Sequence, residues 1–398
     1  MLHEKIRAIA HSVYEDRDTT INNSGLLGGE AGITLFFAYL TIACPEGPYE
    51  EITREYLQRL SDALSYQQLP HHLSYGIAGI AFVFQHLRNI GLLDSSEDIG
   101  LAALDASIID GSQQDLTNGN WDPLHGLVGL GIYFLERYKE TGNTIHLEKI
   151  VDQLNALSVP HNGSKVWVTQ GYTHYSSDNY NFGMAHGMPG LLSFLAGAYT
   201  LDIRRTVIEE LIPSCYTFLL DHYQDNREYF GFPTFIELKP APTPLPSRNG
   251  WCYGDLSMAI ALLHCGRALA REDWIQLGTG IALKTTHIPF EAAGCGDASF
   301  CHGAIGLVHQ YKRLYRATHD TRFNDAADKW LALAHEHFYR PDNYPGGYAY
   351  RKYDQATGLY SNVPAYGLLE GITGIGLVLL SCDGTISPDW DIIFQTNV

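Results

Sequence analysis

Two cysteines and a histidine form a set of residues that can bind a metal ion. Cys252 lies in the segment Trp251-Cys252-Tyr253-Gly254, and Cys301 lies directly before His302. Two thiolates and one imidazole bind zinc and leave its fourth coordination position open for a substrate. Soft sulfur ligands also favour zinc over magnesium or calcium. Their spacing matches no zinc-finger pattern, so the alternative of inert, buried cysteines stays open on spacing alone.

An internal repeat places these residues in a common register. A Gly-x-x-Gly unit that leads into an apolar stretch recurs along the chain, and each unit is followed by an amphipathic segment. The pattern predicts one buried, glycine-headed helix and one half-exposed helix in each repeat. One of the seven units, the fifth along the chain, has Ser257 in place of its second glycine. We therefore expect the helix beside Cys252 to begin differently from the others. The units begin at Gly29, Gly76, Gly126, Gly187, Gly254, Gly303 and Gly371.

Seven such helix pairs can close into a double-layered ring. The alternative is an open solenoid, whose end repeats should carry polar faces. The last repeat, 371–377, is instead strongly apolar, which favours closure. In a closed ring, the residues directly before each first glycine should meet at one mouth. These residues are Gly28, Tyr75, His125, His186, Tyr253, His302 and Glu370.

Further polar residues precede the glycines by a few positions. Asp122 lies four residues before its glycine, and Arg248 lies six residues before its own. His125 is either a residue of the site or a structural hydrogen-bonding residue, and the sequence favours neither. The remaining cysteines are predicted to fill the core; they are Cys44, Cys215, Cys265, Cys295 and Cys382.

Composition excludes several classes of function. The formal net charge is −18, without a run of lysine or arginine, which argues against binding to nucleic acid or to anionic membranes. Hydrophobic residues make up 45% of the chain and charged residues 18%, so a large core is expected. No apolar run is long enough to span a membrane, and the first residues lack the apolar stretch of a signal peptide. Seven irregularly spaced cysteines indicate reduced thiols, and a cytoplasmic location is expected.

The motifs together resemble those of the lanthionine synthetase cyclases, the LanC family. The resemblance runs from about Gly28 to about Leu380 and lies in the segments 185–190, 249–254, 301–303 and 370–374. It implies an all-α fold, an α/α toroid of seven inner and seven outer helices, as a single domain over 1–398. Small β-rich insertions, as some family members carry, could lie at about 158–182 and 222–248, where ordered loops are the equal alternative.

The resemblance also implies the residues of the site. One zinc ion would be bound by Cys252, Cys301 and His302. His186 would be the general acid and base. The supporting residues would be Asp122, Arg248, Trp251 and Tyr253.

The implied reaction is the addition of peptide cysteine thiols to dehydroalanine or dehydrobutyrine, which forms thioether rings. The chain lacks nucleotide-binding signatures, so a separate dehydratase would prepare the precursor peptide, which carries a leader. Three alternatives remain open. They are a relative that adds glutathione to dehydrated peptides, a zinc prenyltransferase-like toroid, and a non-catalytic peptide-binding scaffold.

Overall fold

A computed structural model of the chain describes residues 2–20, 23–96, 99–170, 178–239 and 247–398. Within them, no helix is long and apolar enough to cross a membrane. The helices are α1 (Leu2–Glu15), α2 (Arg17–Thr20), α3 (Glu30–Ala43), α4 (Tyr49–Tyr66), α5 (Ile77–Asn89), α6 (Leu101–Asn118), α7 (Leu127–Thr141), α8 (Ile145–Leu157), α9 (Met188–Thr200), α10 (Arg205–Asp221), α11 (Asp255–Ala268), α12 (Glu272–Thr285), α13 (Ala304–Thr318), α14 (Thr321–Phe338) and α15 (Ile372–Cys382).

Seven of these helices begin directly after the glycines that head the sequence repeats, which confirms the predicted helix starts. They are α3, α5, α7, α9, α11, α13 and α15. The first two turns of each of these helices are buried almost all round, as their apolar sequence predicts. The helices between them, such as α4 and α14, bury one face only.

A recurrent turn leads into the glycine-headed helices. In five repeats, the residue after the first glycine donates its backbone N–H to the carbonyl seven residues earlier; Leu127 and Asn120 are one such pair, 3.2 Å apart. A Cβ atom on the second glycine of five repeats would lie 1.9–2.3 Å from a carbonyl oxygen six residues earlier. Only glycine permits this close approach. The turn therefore fixes the residue before each first glycine at the start of its helix.

The fifth repeat begins differently, as predicted. Gly254 has a φ of +117°, whereas the other six leading glycines have negative φ values. Ser257 occupies the position of the second glycine, is fully buried, and donates its hydroxyl to the Gly254 carbonyl at 3.0 Å. The unusual backbone at Gly254 therefore accompanies a side chain where the other repeats have none.

The chain divides into two compact units. Unit 1 comprises Met1–Leu101 and Cys295–Trp390, and unit 2 comprises Ala102–Gly294 and Asp391–Val398. In unit 1, α3 packs against α4, α5 and α15, and α13 packs against α14 and α15. In unit 2, α9 packs against α7, α10 and α11, while α11 also packs against α12. Each unit thus has its own layers of buried and half-exposed helices.

Among the residues that the structure describes, three antiparallel strand pairs accompany the helices. In unit 2, β1 (Val159–His161) pairs with β2 (Ser164–Val166), and β3 (Asn179–Asn181) pairs with β4 (Phe235–Glu237). These strands lie in the two stretches where insertions were expected, although 171–177 and 240–246 lie outside the described residues. In unit 1, β5 (Tyr350–Asp354) pairs with β6 (Leu359–Val363), a hairpin that the sequence patterns did not predict.

The backbone at Gly254 gives a direct test of this fold. Gly254→Ala should lower the free energy of unfolding by about 3 kcal/mol, because strain at a positive φ costs about 1–3 kcal/mol. The new Cβ would also lie 1.9 Å from the Arg248 carbonyl oxygen. Gly280→Ala is the control, because no atom lies within 4 Å of its Cβ position, and it should stabilise α12 by up to about 1 kcal/mol. Urea unfolding of both variants measures the difference; equal stabilities would contradict the backbone assignment.

Candidate metal and proton-transfer residues

Asp122 and His186 form a close ion pair in unit 2. Nδ1 of His186 lies 2.8 Å from Oδ2 of Asp122, and both side chains are half-buried. The other oxygen of Asp122 accepts the backbone N–H groups of Leu124 and His125, at 2.7 and 2.9 Å. The carboxylate is therefore fixed by its own turn and in turn orients the imidazole of His186.

His125 lies beside His186, as the repeat register predicted. The two rings are stacked, with their centroids 5.7 Å apart. The side chain of Asn120 donates to the His125 carbonyl at 2.6 Å and holds the backbone of the turn. One nitrogen of each histidine and one oxygen of Asp122 all lie within 4.8 Å of one another.

The electrostatics favour a charged pair. Burial alone would raise the pKa of Asp122, but the positive charge and hydrogen bond of His186 lower it below its usual value. Burial alone would lower the pKa of His186, but the charge and hydrogen bond of Asp122, with a smaller effect of Cys252, raise it. His186 therefore holds a proton at higher pH than an ordinary histidine does.

The loop before α11 carries four more predicted residues. Cys252 is 6% exposed, and its carbonyl packs against Gly183 in the segment that leads to His186. The hydroxyl of Tyr253 accepts a hydrogen bond from the Asn181 side chain at 3.2 Å. Arg248 is half-buried at the beginning of the loop.

Trp251 is buried within unit 2. Its indole N–H donates to the Phe394 carbonyl at 2.7 Å, and its ring packs edge-on against the Phe394 ring. The Trp251 side chain is 1% exposed. Through its contacts with Phe394, it positions the Cys252 loop.

The other two predicted metal ligands lie in unit 1. Cys301 is 8% exposed, and its backbone N–H donates to the Leu369 carbonyl at 3.0 Å. Its Sγ and a ring nitrogen of His302 lie within 4.8 Å of each other. The turn before α13 thus presents a thiol and an imidazole side by side.

Sequence reasoning missed Tyr350, which lies beside this pair. Its hydroxyl donates to Glu370 at 3.0 Å, and its ring centroid lies 6.2 Å from that of His302. Burial raises the pKa of Tyr350, and the negative charges of Glu370, Cys301 and Asp297 raise it further. Tyr350 therefore remains a neutral donor among acidic groups. It belongs to no repeat, so the register could not place it.

The five cysteines outside the predicted ligand set differ in their surroundings. Cys215 and Cys265 are buried, and burial strongly raises the pKa of both thiols, as expected of core residues. Burial also raises the pKa of Cys382 to about 11. Cys44, Cys295 and Cys382 are nevertheless only half-buried. The prediction that all five fill the core is wrong for these three, because each lies at or beyond the end of a helix or in a loop.

Comparison with known proteins identifies the family. The sequence profile of the lanthionine synthetase C-like proteins matches residues 20–395. The chain belongs to this family. A solved structure of a nisin cyclase matches the fold with a TM-score of 0.77, over 99% of this chain and 97% of that chain, at 20% sequence identity. The predicted all-α, α/α toroid fold class is thus confirmed. No curated protein sequence matches the chain significantly.

The ion pair in this family member can be tested without an activity assay. Asp122→Asn should lower the pKa of His186, because the neutral amide removes the charge that opposes the effect of burial. Mass spectrometry of deuterium exchange at the imidazole C2 position measures the pKa of individual histidines. His146 is an internal control, because burial lowers its pKa and Asp122 has no part in that shift. An unchanged pKa for His186 in the variant would contradict the pairing.

Proposed function

We propose that the chain is a zinc-dependent lanthipeptide cyclase, which adds peptide cysteine thiols to dehydroalanine or dehydrobutyrine and so forms thioether rings. The observation that carries the proposal is the Asp122–His186 pair, which holds a proton on an imidazole beside the Cys252 loop. Membership of the lanthionine synthetase C-like family supports the same activity.

Cys252, Cys301 and His302 are the proposed ligands of one zinc ion. Their chemistry fits, because two thiolates and an imidazole leave a fourth position for a substrate thiol. The environment in unit 1 also fits a cation, because it is acidic. The negative charges of Glu370, Asp297 and Cys301 all raise the pKa of Tyr350. When bound, zinc would supply a Lewis acid that keeps a peptide thiol deprotonated near neutral pH.

The reaction balances without a redox partner. The thiol of the peptide cysteine loses its proton, its sulfur forms a bond to the β-carbon of the dehydrated residue, and the carbon–carbon double bond is lost. The α-carbon gains a proton, so one proton is released and one is taken up. His186 is the proposed donor of that proton, because its raised pKa favours the protonated ring. Asp122 stabilises the protonated ring and fixes its direction.

The neighbouring residues have supporting roles in this proposal. Arg248 would stabilise the negative charge that develops on the carbonyl oxygen of the dehydrated residue. Tyr253, fixed by Asn181, would line the same region. Trp251 would act as a positioning residue for the Cys252 loop, through its bond to Phe394.

The proposed activity implies partners. The substrate is a dehydrated precursor peptide with a leader, and a separate dehydratase produces it, in a transient complex with this protein. A single toroid domain over 1–398 and a cytoplasmic location complete the proposal.

The ligand set predicts the metal content of variants. The wild type should bind one zinc ion per chain, and Cys301→Ala and Cys252→Ala should each lose most of it while the helical content remains. The apolar core does not depend on the metal, whereas the affinity depends on each ligand. Cys295→Ala is the matched control and should keep its zinc, because this thiol is no part of the set. Full zinc occupancy in either ligand variant, by elemental analysis, would contradict the assignment.

The proton-transfer role predicts a separate phenotype. His186→Asn should keep its zinc and lose about 10²–10⁴-fold in cyclisation rate, the usual contribution of general acid–base catalysis. His125→Asn is the comparison, because His125 stacks on His186 whereas His186 itself makes the 2.8 Å bond to Asp122, and cyclisation should slow only mildly. Loss of zinc together with His186 would instead make His186 a ligand.

Mass spectrometry with thiol alkylation tests the reaction itself. A dehydrated peptide incubated with the zinc-loaded protein should keep its mass and lose its alkylatable thiols. An added glutathione mass, with glutathione present, would identify the alternative of intermolecular addition. If both the number of alkylatable thiols and the peptide mass stay unchanged, the cyclase activity is contradicted. The alternative of a peptide-binding scaffold is then favoured.

A further inference from the structure

The β5–β6 hairpin exposes large apolar and aromatic side chains. Tyr353, Leu359 and Tyr360 are 49%, 68% and 60% exposed. Apart from the residues at its base, every position of the two strands is exposed. A two-stranded hairpin that projects in this way buries little of its own surface, and clustered exposed apolar groups mark interaction sites.

One face of the hairpin has a defined arrangement. Tyr353 pairs with Tyr360 and Arg351 pairs with Asn362, so these four side chains share a face. The two tyrosine rings lie 5.0 Å apart between centroids, and the Arg351 guanidinium lies 4.5 Å from the centre of the Tyr360 ring. We call Arg351, Tyr353 and Tyr360 the aromatic face.

The base of the hairpin is fixed beside the proposed metal ligands of unit 1. Tyr350 donates to Glu370 and lies against His302, and the backbone N–H of Arg351 donates to Asp297 at 2.9 Å. Tyr350 lies on the opposite face of the strand, whereas Arg351 belongs to the aromatic face. A strand rises about 3.3 Å per residue, so Tyr353 lies about 7 Å along the strand from Arg351. An extended peptide with its cysteine at Cys301 and His302 would reach the aromatic face within three or four residues.

The charge of the hairpin is opposite to that of the whole chain. Residues 350–363 contain Arg351, Lys352 and a single carboxylate, Asp354, which gives +1, whereas the chain carries −18. Asp354 is engaged within the turn, where it accepts from the Ala356 N–H and the Thr357 hydroxyl. The hairpin therefore presents cations and aromatic rings together. This surface suits a peptide in which an acidic residue stands next to an apolar or aromatic residue.

We propose that the β5–β6 hairpin is a docking site for the substrate peptide. It binds an extended segment three to five residues from the reacting cysteine, with an apolar or aromatic side chain on Tyr353 and Tyr360. A neighbouring carboxylate of the peptide pairs with Arg351, which lies on the same face. This inference rests on the proposed function and adds a preference for substrate sequence to it.

Two synthetic peptides and three proteins test the docking site. Both peptides contain one dehydroalanine and one cysteine; one has Phe-Glu four residues from the cysteine, and the other has Ser-Gln there. The wild type should show a KM about tenfold lower for the Phe-Glu peptide, equivalent to about 1.4 kcal/mol. The double variant Tyr353→Ser, Tyr360→Ser should lose this preference and still bind one zinc per chain. Tyr66→Ser, which alters a tyrosine that is 86% exposed on α4, should retain the preference.

A binding measurement separates failure of docking from failure of the proposed function. Fluorescence anisotropy with a labelled Phe-Glu peptide, in which serine replaces dehydroalanine and alanine replaces cysteine, needs no catalysis. Weaker binding to the double variant than to Tyr66→Ser supports the docking site even if the wild type cyclises neither peptide. Equal binding to all three proteins overturns it. A wild-type dimer that the double variant abolishes, in sedimentation without peptide, would also overturn it, because a second copy would then cover the aromatic face.

Discussion

The close approach of a backbone carbonyl to the second glycine of five repeats determines where the buried helices begin. In five repeats, a Cβ on the second glycine would collide with a carbonyl six residues earlier, so this form of the turn requires glycine there. The repeat with Ser257 at this position begins its helix with a different backbone at Gly254. In five repeats, the turn also ties the first N–H of the helix to a carbonyl seven residues earlier. In these repeats, backbone bonds thereby hold the residue in front of the helix.

This arrangement separates stability from chemistry. The buried helices that follow the glycines form the apolar core. The side chains on the turns are not needed for that core and can therefore be ionisable. In unit 2, the turn places Asp122 where its two oxygens serve different purposes: one holds the backbone of its own loop and the other holds His186. In unit 1, the corresponding turns place Cys301, His302 and Glu370, and Tyr350 bonds to the last of these from outside the repeats.

The sequence predicted the parts of the fold that a local backbone requirement encodes. All seven helix starts followed from the glycines, and Ser257 indicated the irregular start at Gly254. The His125–His186 neighbourhood followed from the register of the repeats. Contacts between distant segments could not be predicted in this way. Trp251 meets Phe394 across 143 residues, and the β5–β6 hairpin is exposed on both faces, so it lacks the alternation of apolar and polar residues that reveals a half-buried strand.

Zinc K-edge X-ray absorption of the purified protein, with and without a cysteine-containing peptide, tests the central claim most directly. We expect a zinc ion with two sulfur ligands at about 2.3 Å and one imidazole nitrogen at about 2.0–2.1 Å. Addition of the peptide should raise the number of sulfur ligands to three, since the substrate thiol would take the open position. A zinc shell without sulfur, or a sulfur count that the peptide leaves unchanged, would contradict it.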